Sequence, residues 1–235
     1  MINFLFDLYG TLADIKTDEG KESLWSDFAN TLGESNGECV RAEYLDICKT
    51  YAEARAHKFV EFDLLLVFEQ MLQNRGIEKE KASEFARKFR IFSREKLRLF
   101  PCVVEMLEGL KDRSAGVYLV SNAQACFTRD ELDELGLTNL FDGILISSDA
   151  GVKKPHTEIF DIAFKKFGLN KRDCIYVGND LHDDILGAES AGLKSVYIET
   201  EQSGKYENIS SSLPTYIVED HAQMKQVLFA LADER

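Results

Sequence analysis

From residue 100 onward, short apolar runs alternate with stretches of helical period, a rhythm that few folds accommodate. The runs at 117–122, 143–148, 174–178, 195–199 and 216–218 read as strands. Between them Phe160, Ala163, Phe164 and Phe167 fall at i, i+3, i+4 and i+7, and Val103, Leu107 and Leu110 mark a similar face. Strand–helix–strand units with connectors of that length build a parallel sheet with helices on both faces. Right-handed crossovers then gather the loops that follow the strands along one edge. The run Asn3-Phe4-Leu5-Phe6 supplies one more strand, ending in the lone carboxylate of Asp7 and a Gly10-Thr11 turn. In open α/β sheets ligands bind beyond the carboxyl ends of the strands, which places Asp7 as a nucleophile, a metal ligand or both.

Residues 15–94 break the rhythm. Leu64, Val67, Phe68, Met71 and Leu72 share a helical face, and no convincing strand interrupts the block. The reading is an α/β, Rossmann-like core formed by residues 1–14 and 95–235, with residues 15–94 inserted as an all-helical cap. The chain returns to the core near 94–101, with Pro101 opening the next core helix. An insert just beyond Asp7 would cover the sheet edge as a lid and exclude water. Trp25, Tyr44 and Tyr51 are expected to pack inside it. Ser210-Ser211-Ser212 reads as an exposed loop.

Size and charge narrow the partners. The 235 residues, 45% of them hydrophobic and 16 of them Phe, suffice for a large packed core with an insert. Acidic residues outnumber Lys and Arg by 41 to 28, and the net charge of −13 disfavours nucleic acid or an anionic membrane as partner. No uninterrupted apolar stretch reaches the roughly 18 residues of a membrane span, and no basic segment precedes an apolar one at the amino terminus. Cys39, Cys48, Cys102, Cys126 and Cys174 form no CxxC pair. The expectation is a cytoplasmic protein with reduced thiols, Cys102 and Cys174 packing in the core. Oligomeric state is not legible.

Four polar stations each fall at or just beyond a strand end: Asp7 with Gly10-Thr11, Ser121-Asn122, Lys153-Lys154-Pro155, and Gly178-Asn179-Asp180 with Asp183-Asp184. Singly these are ordinary. A Ser-Asn pair marks turns, paired lysines mark solvated surface, and Asp clusters cap helices. Four in this order are not easily assigned to chance.

In that order they resemble the haloacid dehalogenase superfamily of aspartate-nucleophile hydrolases, over nearly the whole chain. Asp7-Leu8-Tyr9-Gly10-Thr11 is similar to its first motif, Ser121 to its second, and Lys154 before Pro155 to its third. The stretch from Gly178 through Asp184-Ile185-Leu186-Gly187-Ala188 is similar to its acidic fourth. The resemblance implies a small helical cap and a Mg²⁺-dependent phosphatase of a small phosphorylated metabolite. Asp7 would be the nucleophile, Lys154 would neutralise phosphate and steady Asp7, and Ser121 and Thr11 would donate hydroxyls. Asn122 and Gly10 would contact substrate. Mg²⁺ would be held by Asp7, the Tyr9 carbonyl, Asn179, Asp180 and Asp184, since a hard cation takes oxygen ligands.

Two departures matter. Most phosphatases of the family carry an Asp where this chain has Tyr9, and that Asp serves as general acid and base, worth about 10²–10⁴ in rate. A tyrosine with a pKa of roughly 10 is a poor substitute near neutral pH. Asn179 likewise stands where an Asp is usual. The metal-independent 2-haloacid dehalogenases share the tyrosine, so they are the alternative, although their cap arginine and its companions have no convincing match here. A third reading is a catalytically weakened ligand-binding member. Lys153 is expected to be solvated, His182 to lie at the surface, and Asp183 to open a helix or bind metal.

Overall fold

The computed structural model describes residues 1–55, 59–206 and 214–234; the expected loop at Ser210-Ser211-Ser212 lies outside them. In chain order the elements are β1 (Asn3–Phe6), β2 (Ala13–Thr17), α1 (Glu22–Thr31), α2 (Gly37–Glu53), α3 (Leu65–Gln73), α4 (Ala82–Ser93), β3 (Arg94–Leu99) and α5 (Val103–Asp112). Then come β4 (Gly116–Ser121), α6 (Ala125–Glu134), β5 (Gly143–Ile146), a short α7 (Ser147–Ala150) and α8 (Glu158–Phe167). Last are β6 (Cys174–Gly178), a wide π turn at Leu181–Leu186 leading into α9 (Gly187–Ser190), β7 (Lys194–Ile198), β8 (Tyr216–Val218) and α10 (His221–Asp233).

Six strands form one parallel sheet in the order β5-β4-β1-β6-β7-β8. Strand alternation sorts the apolar side chains into two layers. Phe4, Phe6, Val117, Leu119, Ile175, Val177, Val196 and Ile198 pack with α5 and α10. Leu5, Val120, Leu145 and Tyr176 pack with Ile159, Phe160 and Ala163 of α8 on the other face. Because β1 is flanked by β4 and β6, the residue after it emerges at the middle of the sheet edge, and the Asp7 amide continues the ladder to Val177 O at 2.9 Å.

Helices α1–α4 form the insert around an aromatic cluster. Phe89 stacks on Tyr44 at 5.2 Å and meets Phe28 and Trp25 edge-on at 5.3 and 5.4 Å. Tyr51 is half-buried and stacks on Phe62. Phe127 of α6 joins the same cluster, so cap and core share apolar contact.

Four expectations are corrected. A strand does touch the block at 15–94: β2 and β3 pair antiparallel where the chain leaves and re-enters the core. Their charges hid them, and those charges pair across the ribbon, Lys16 with Glu95 at 2.8 Å and Lys96 and Arg98 with Asp14 at 2.8 and 2.9 Å. The helix expected from Pro101 begins at Val103, because half-buried Cys102 turns left-handed (φ 64°) and its carbonyl accepts from Met106. Cys102 is thus a turn residue, while Cys174 is buried as expected. The strand expected to reach Ser148 stops at Ile146, since the Ser147 and Ser148 hydroxyls accept from the amides of Ala123 and Ala125. Among the described residues no helix is long and apolar enough to cross a membrane.

Candidate active site

Asp7 is buried, 7% exposed, and its Oδ1 accepts from the Ser121 hydroxyl at 2.9 Å and from Lys154 Nζ at 2.8 Å. The ends of β1 and β4 and the loop between α7 and α8 supply this contact. Lys154 Nζ also pairs with Asp184 Oδ1 at 2.6 Å and meets the Tyr176 hydroxyl. Tyr176 in turn reaches Val120 O at 2.9 Å and Asp184 Oδ1 at 3.1 Å. Sequence reasoning passed over Tyr176, although a phenol inside an apolar strand must find a polar partner. Burial works against the Lys154 charge, but Asp184 and Asp7 outweigh it and hold the ammonium well above its ordinary pKa. Burial and the Asp7 charge push Asp184 up to about 6 against the pull of Lys154.

Asp184 is heavily engaged. Its Oδ2 accepts the amides of Asn179 and Asp180 at 3.0 and 2.9 Å, while Oδ1 serves Lys154 and Tyr176. The Tyr176 hydroxyl has one proton for Val120 O and Asp184 Oδ1, so three donors are certain on this carboxylate and a fourth is shared. The residue expected as a metal ligand here also clamps the lysine. Asn179 bridges three loops: Oδ1 accepts from Thr11 at 3.1 Å, and Nδ2 lies 3.4 Å from Thr200 and 3.5 Å from Ser203. Thr11 therefore spends its hydroxyl on Asn179, not on Asp7. Gly10 donates its amide to Ala13 O and accepts from Thr200, so that amide is not free to donate to a substrate oxygen.

Asn122 is likewise spent. Its Oδ1 accepts the Lys154 amide at 2.8 Å, and Nδ2 donates to Lys154 O and Asp183, both at 3.1 Å. This holds the backbone of the lysine in place. The Lys153 side chain is partly solvated as expected, but its amide donates to Phe59 O at 3.0 Å and its ammonium lies 3.9 Å from Glu61, tying the cap to the core. Asp180 caps the π turn through the amides of His182 and Asp183, and the Tyr206 hydroxyl lies 2.8 and 2.7 Å from its two oxygens. His182 is half-buried, paired with Asp183 at 2.7 Å. One ligand atom each of Asp180, His182 and Asp183 lies within 4.8 Å of the others.

Tyr9 turns away from Asp7. Its hydroxyl donates to Glu131 and lies 3.0 Å from Thr128 Oγ1. Burial, with the Glu131 charge, raises the phenol far above its ordinary pKa, so it is neither an acid nor a base near neutrality. The Tyr9 carbonyl and Asp7 Oδ2 receive no hydrogen bond from a described residue. A buried carboxylate oxygen left without a donor is costly unless something else satisfies it. A carbonyl and a carboxylate oxygen without a described donor are the donor types that a hard divalent cation takes.

The sequence profile of the haloacid dehalogenase-like hydrolases matches residues 3–192. The glyceraldehyde 3-phosphate phosphatase of Methanothermobacter thermautotrophicus is 28% identical over 56% of this chain and 59% of its own. The phosphoserine phosphatase of Thermus thermophilus is 28% identical over 76% of this chain and 70% of its own. Against most of the curated relatives it matches, the chain spans about half of their length. A 2-haloacid dehalogenase structure from Pseudomonas syringae superposes with a TM-score of 0.66 at 22% identity, over 98% of this chain and all of that one, a likeness of fold.

Proposed function

Since this chain belongs to the haloacid dehalogenase-like hydrolases, we propose that it is a Mg²⁺-dependent phosphatase of a small phosphorylated metabolite, with Asp7 as nucleophile. The observation that carries the reading is the asymmetry of Asp7. One carboxylate oxygen is fixed by Lys154 and Ser121, while the other has no described donor and is left to attack phosphorus. The relatives named above as phosphatases point the same way.

In this reading the free Asp7 oxygen bonds to phosphorus as the bond to the leaving oxygen breaks, giving an aspartyl-phosphate and the departing anion. Water then attacks phosphorus, loses a proton to solvent, and releases phosphate with the Asp7 carboxylate restored. Dividing one hard displacement into two eases each. Lys154 offsets the repulsion between carboxylate and phosphate, and Asp184 with Tyr176 keeps it aimed. Bound Mg²⁺ would polarise the phosphoryl oxygens, held beside Asp7 by the Tyr9 carbonyl, Asn179 and Asp180. With the Tyr9 hydroxyl turned to Glu131, nothing at position 9 protonates the leaving group. Acyl phosphates and aryl esters are therefore the preferred substrates.

A panel of phosphorylated metabolites, assayed with Mg²⁺ and with chelator, tests this. Release of phosphate that stops with chelator and with Asp7→Asn is expected; turnover indifferent to both overturns the reading. Metal-independent displacement of halide is the second reading, favoured by the neutral Asn179 and by the pairing of Asp184 with Lys154. Halide released from a short 2-haloacid, unaffected by chelator, would establish it instead.

A further inference from the structure

Glu131 lies on α6 and is 1% exposed, yet it carries a carboxylate. Its Oε1 accepts from Arg90 Nε at 2.8 Å and lies 3.4 Å from Arg94, and its Oε2 accepts from Arg90 Nη2 at 3.2 Å and from the Tyr9 hydroxyl. Arg90 belongs to cap helix α4 and Arg94 opens β3, whereas Tyr9 follows Asp7 by two residues. One buried anion thus answers to both the cap and the loop of the proposed nucleophile. Around it the interface is polar: Arg87 pairs with Asp130 at 2.7 Å, Arg94 with Glu134 at 2.8 Å, and Arg90 lies 5.0 Å over Phe127. A cavity of about 210 Å³ remains between the two helices, so ion pairs supply much of what packing there does not.

We propose that Tyr9 is a positioning residue that couples placement of the cap to the loop carrying Asp7, through Glu131 as their shared acceptor. If α4 lifts, Arg90 leaves, and Glu131 keeps the Tyr9 hydroxyl, with Thr128 behind it, as its contact from the loop side. A buried carboxylate that loses Arg90 and keeps only the 3.4 Å contact to Arg94 is poorly compensated, so either the loop adjusts or the cap returns. Coupling of this kind is reciprocal by thermodynamic necessity. Where the family's phosphatases place an acid, this chain places a sensor of closure. The consequence for turnover rests on Asp7 being the nucleophile; the coupling itself does not.

Amide hydrogen exchange of the full chain reads it without any substrate, in Tyr9→Phe, Arg90→Lys and the double variant. Phe keeps the ring and loses only the hydroxyl, so a packing role alone predicts silence. The coupling predicts exchange in α4 faster by about ten-fold or more in Tyr9→Phe, as expected for one lost hydrogen bond to a charged group. It also predicts faster exchange at residues 8–12 in Arg90→Lys, and a double variant whose effect is less than the product of the singles. Unchanged protection in β6 separates this local loosening from global unfolding. Wild-type protection of α4 in Tyr9→Phe, or a double variant equal to the product, overturns the proposal. Should the catalytic reading fail, phosphate release would be missing from the wild type while these exchange differences stand.

Discussion

Lys154 Nζ lies 2.8 Å from Asp7 Oδ1 across 147 residues of chain, and it is the same atom that neutralises Asp184 at 2.6 Å. Lys154→Met would leave two carboxylates facing each other without a cation. Breaking a buried pair in this way costs about 3–5 kcal/mol. Urea unfolding should show a loss of that order, with no measurable turnover. Lys154→Arg should not rescue, since a planar fork cannot replace a compact ammonium that meets Asp7, Asp184 and Tyr176 together.

Gly10→Ala tests how tightly the first and fourth loops are joined. Gly10 has φ +84°, and a Cβ there would lie 2.4 Å from Asn179 Nδ2, a side chain already held by Thr11, Thr200 and Ser203. Left-handed strain and overpacking together predict a loss of about 2–4 kcal/mol. Denaturant titration measures it. If Asn179 holds Mg²⁺ through its Oδ1, calorimetric titration of the same variant should show weaker cation binding.

The parallel sheet was legible because each strand is a short apolar run between segments of another period; Asp7 and Ser121 were legible because strand ends gather at one edge, and Lys154 because it stands before Pro155 as in the family's third motif. The ribbon of β2 and β3 was not, because its charged residues mimic a surface loop until their partners across the ribbon are known. Which way a side chain turns was also beyond one-dimensional reading. Thr11, Asn122 and Asp184 carry groups suited to substrate or metal, yet each spends them on protein neighbours. Glu131 left a trace, a charge between Thr128 and Leu132 on the buried stripe of an amphipathic helix. Its partners, from residues 9, 90 and 94, appear only in three dimensions.

His221 makes stability depend on pH. Its Nε2 lies 2.9 Å from Thr11 O and its ring stacks on Phe100 at 4.3 Å. Burial lowers its pKa, outweighing the Thr11 carbonyl and Asp220, which favour the charged form. The unfolded chain takes up this proton near pH 6.5, before the folded one does. Stability is therefore complete above that value and falls as pH drops through it. Thermal melts at pH 7.5 and 5 should show a smaller decline for His221→Gln, which keeps a donor for Thr11 and cannot ionise. Equal declines would place the acid sensitivity elsewhere.

Tyr9→Asp separates the two roles that position 9 can serve. The shorter side chain withdraws a donor from Glu131 and an aromatic ring from a buried site, a change that costs about 3–5 kcal/mol when a ring is lost outright. It also sets a carboxyl two residues beyond Asp7, where an acid for the leaving group is missing. For alkyl phosphates, whose departure needs a proton, the rate should rise toward the 10²–10⁴ that such catalysis supplies. For acyl phosphates, which leave unaided, it should stay flat or fall as cap coupling is lost. Steady-state kinetics on one substrate of each kind reads the contrast directly, and parallel rates on both would mean that protonation of the leaving group does not limit turnover.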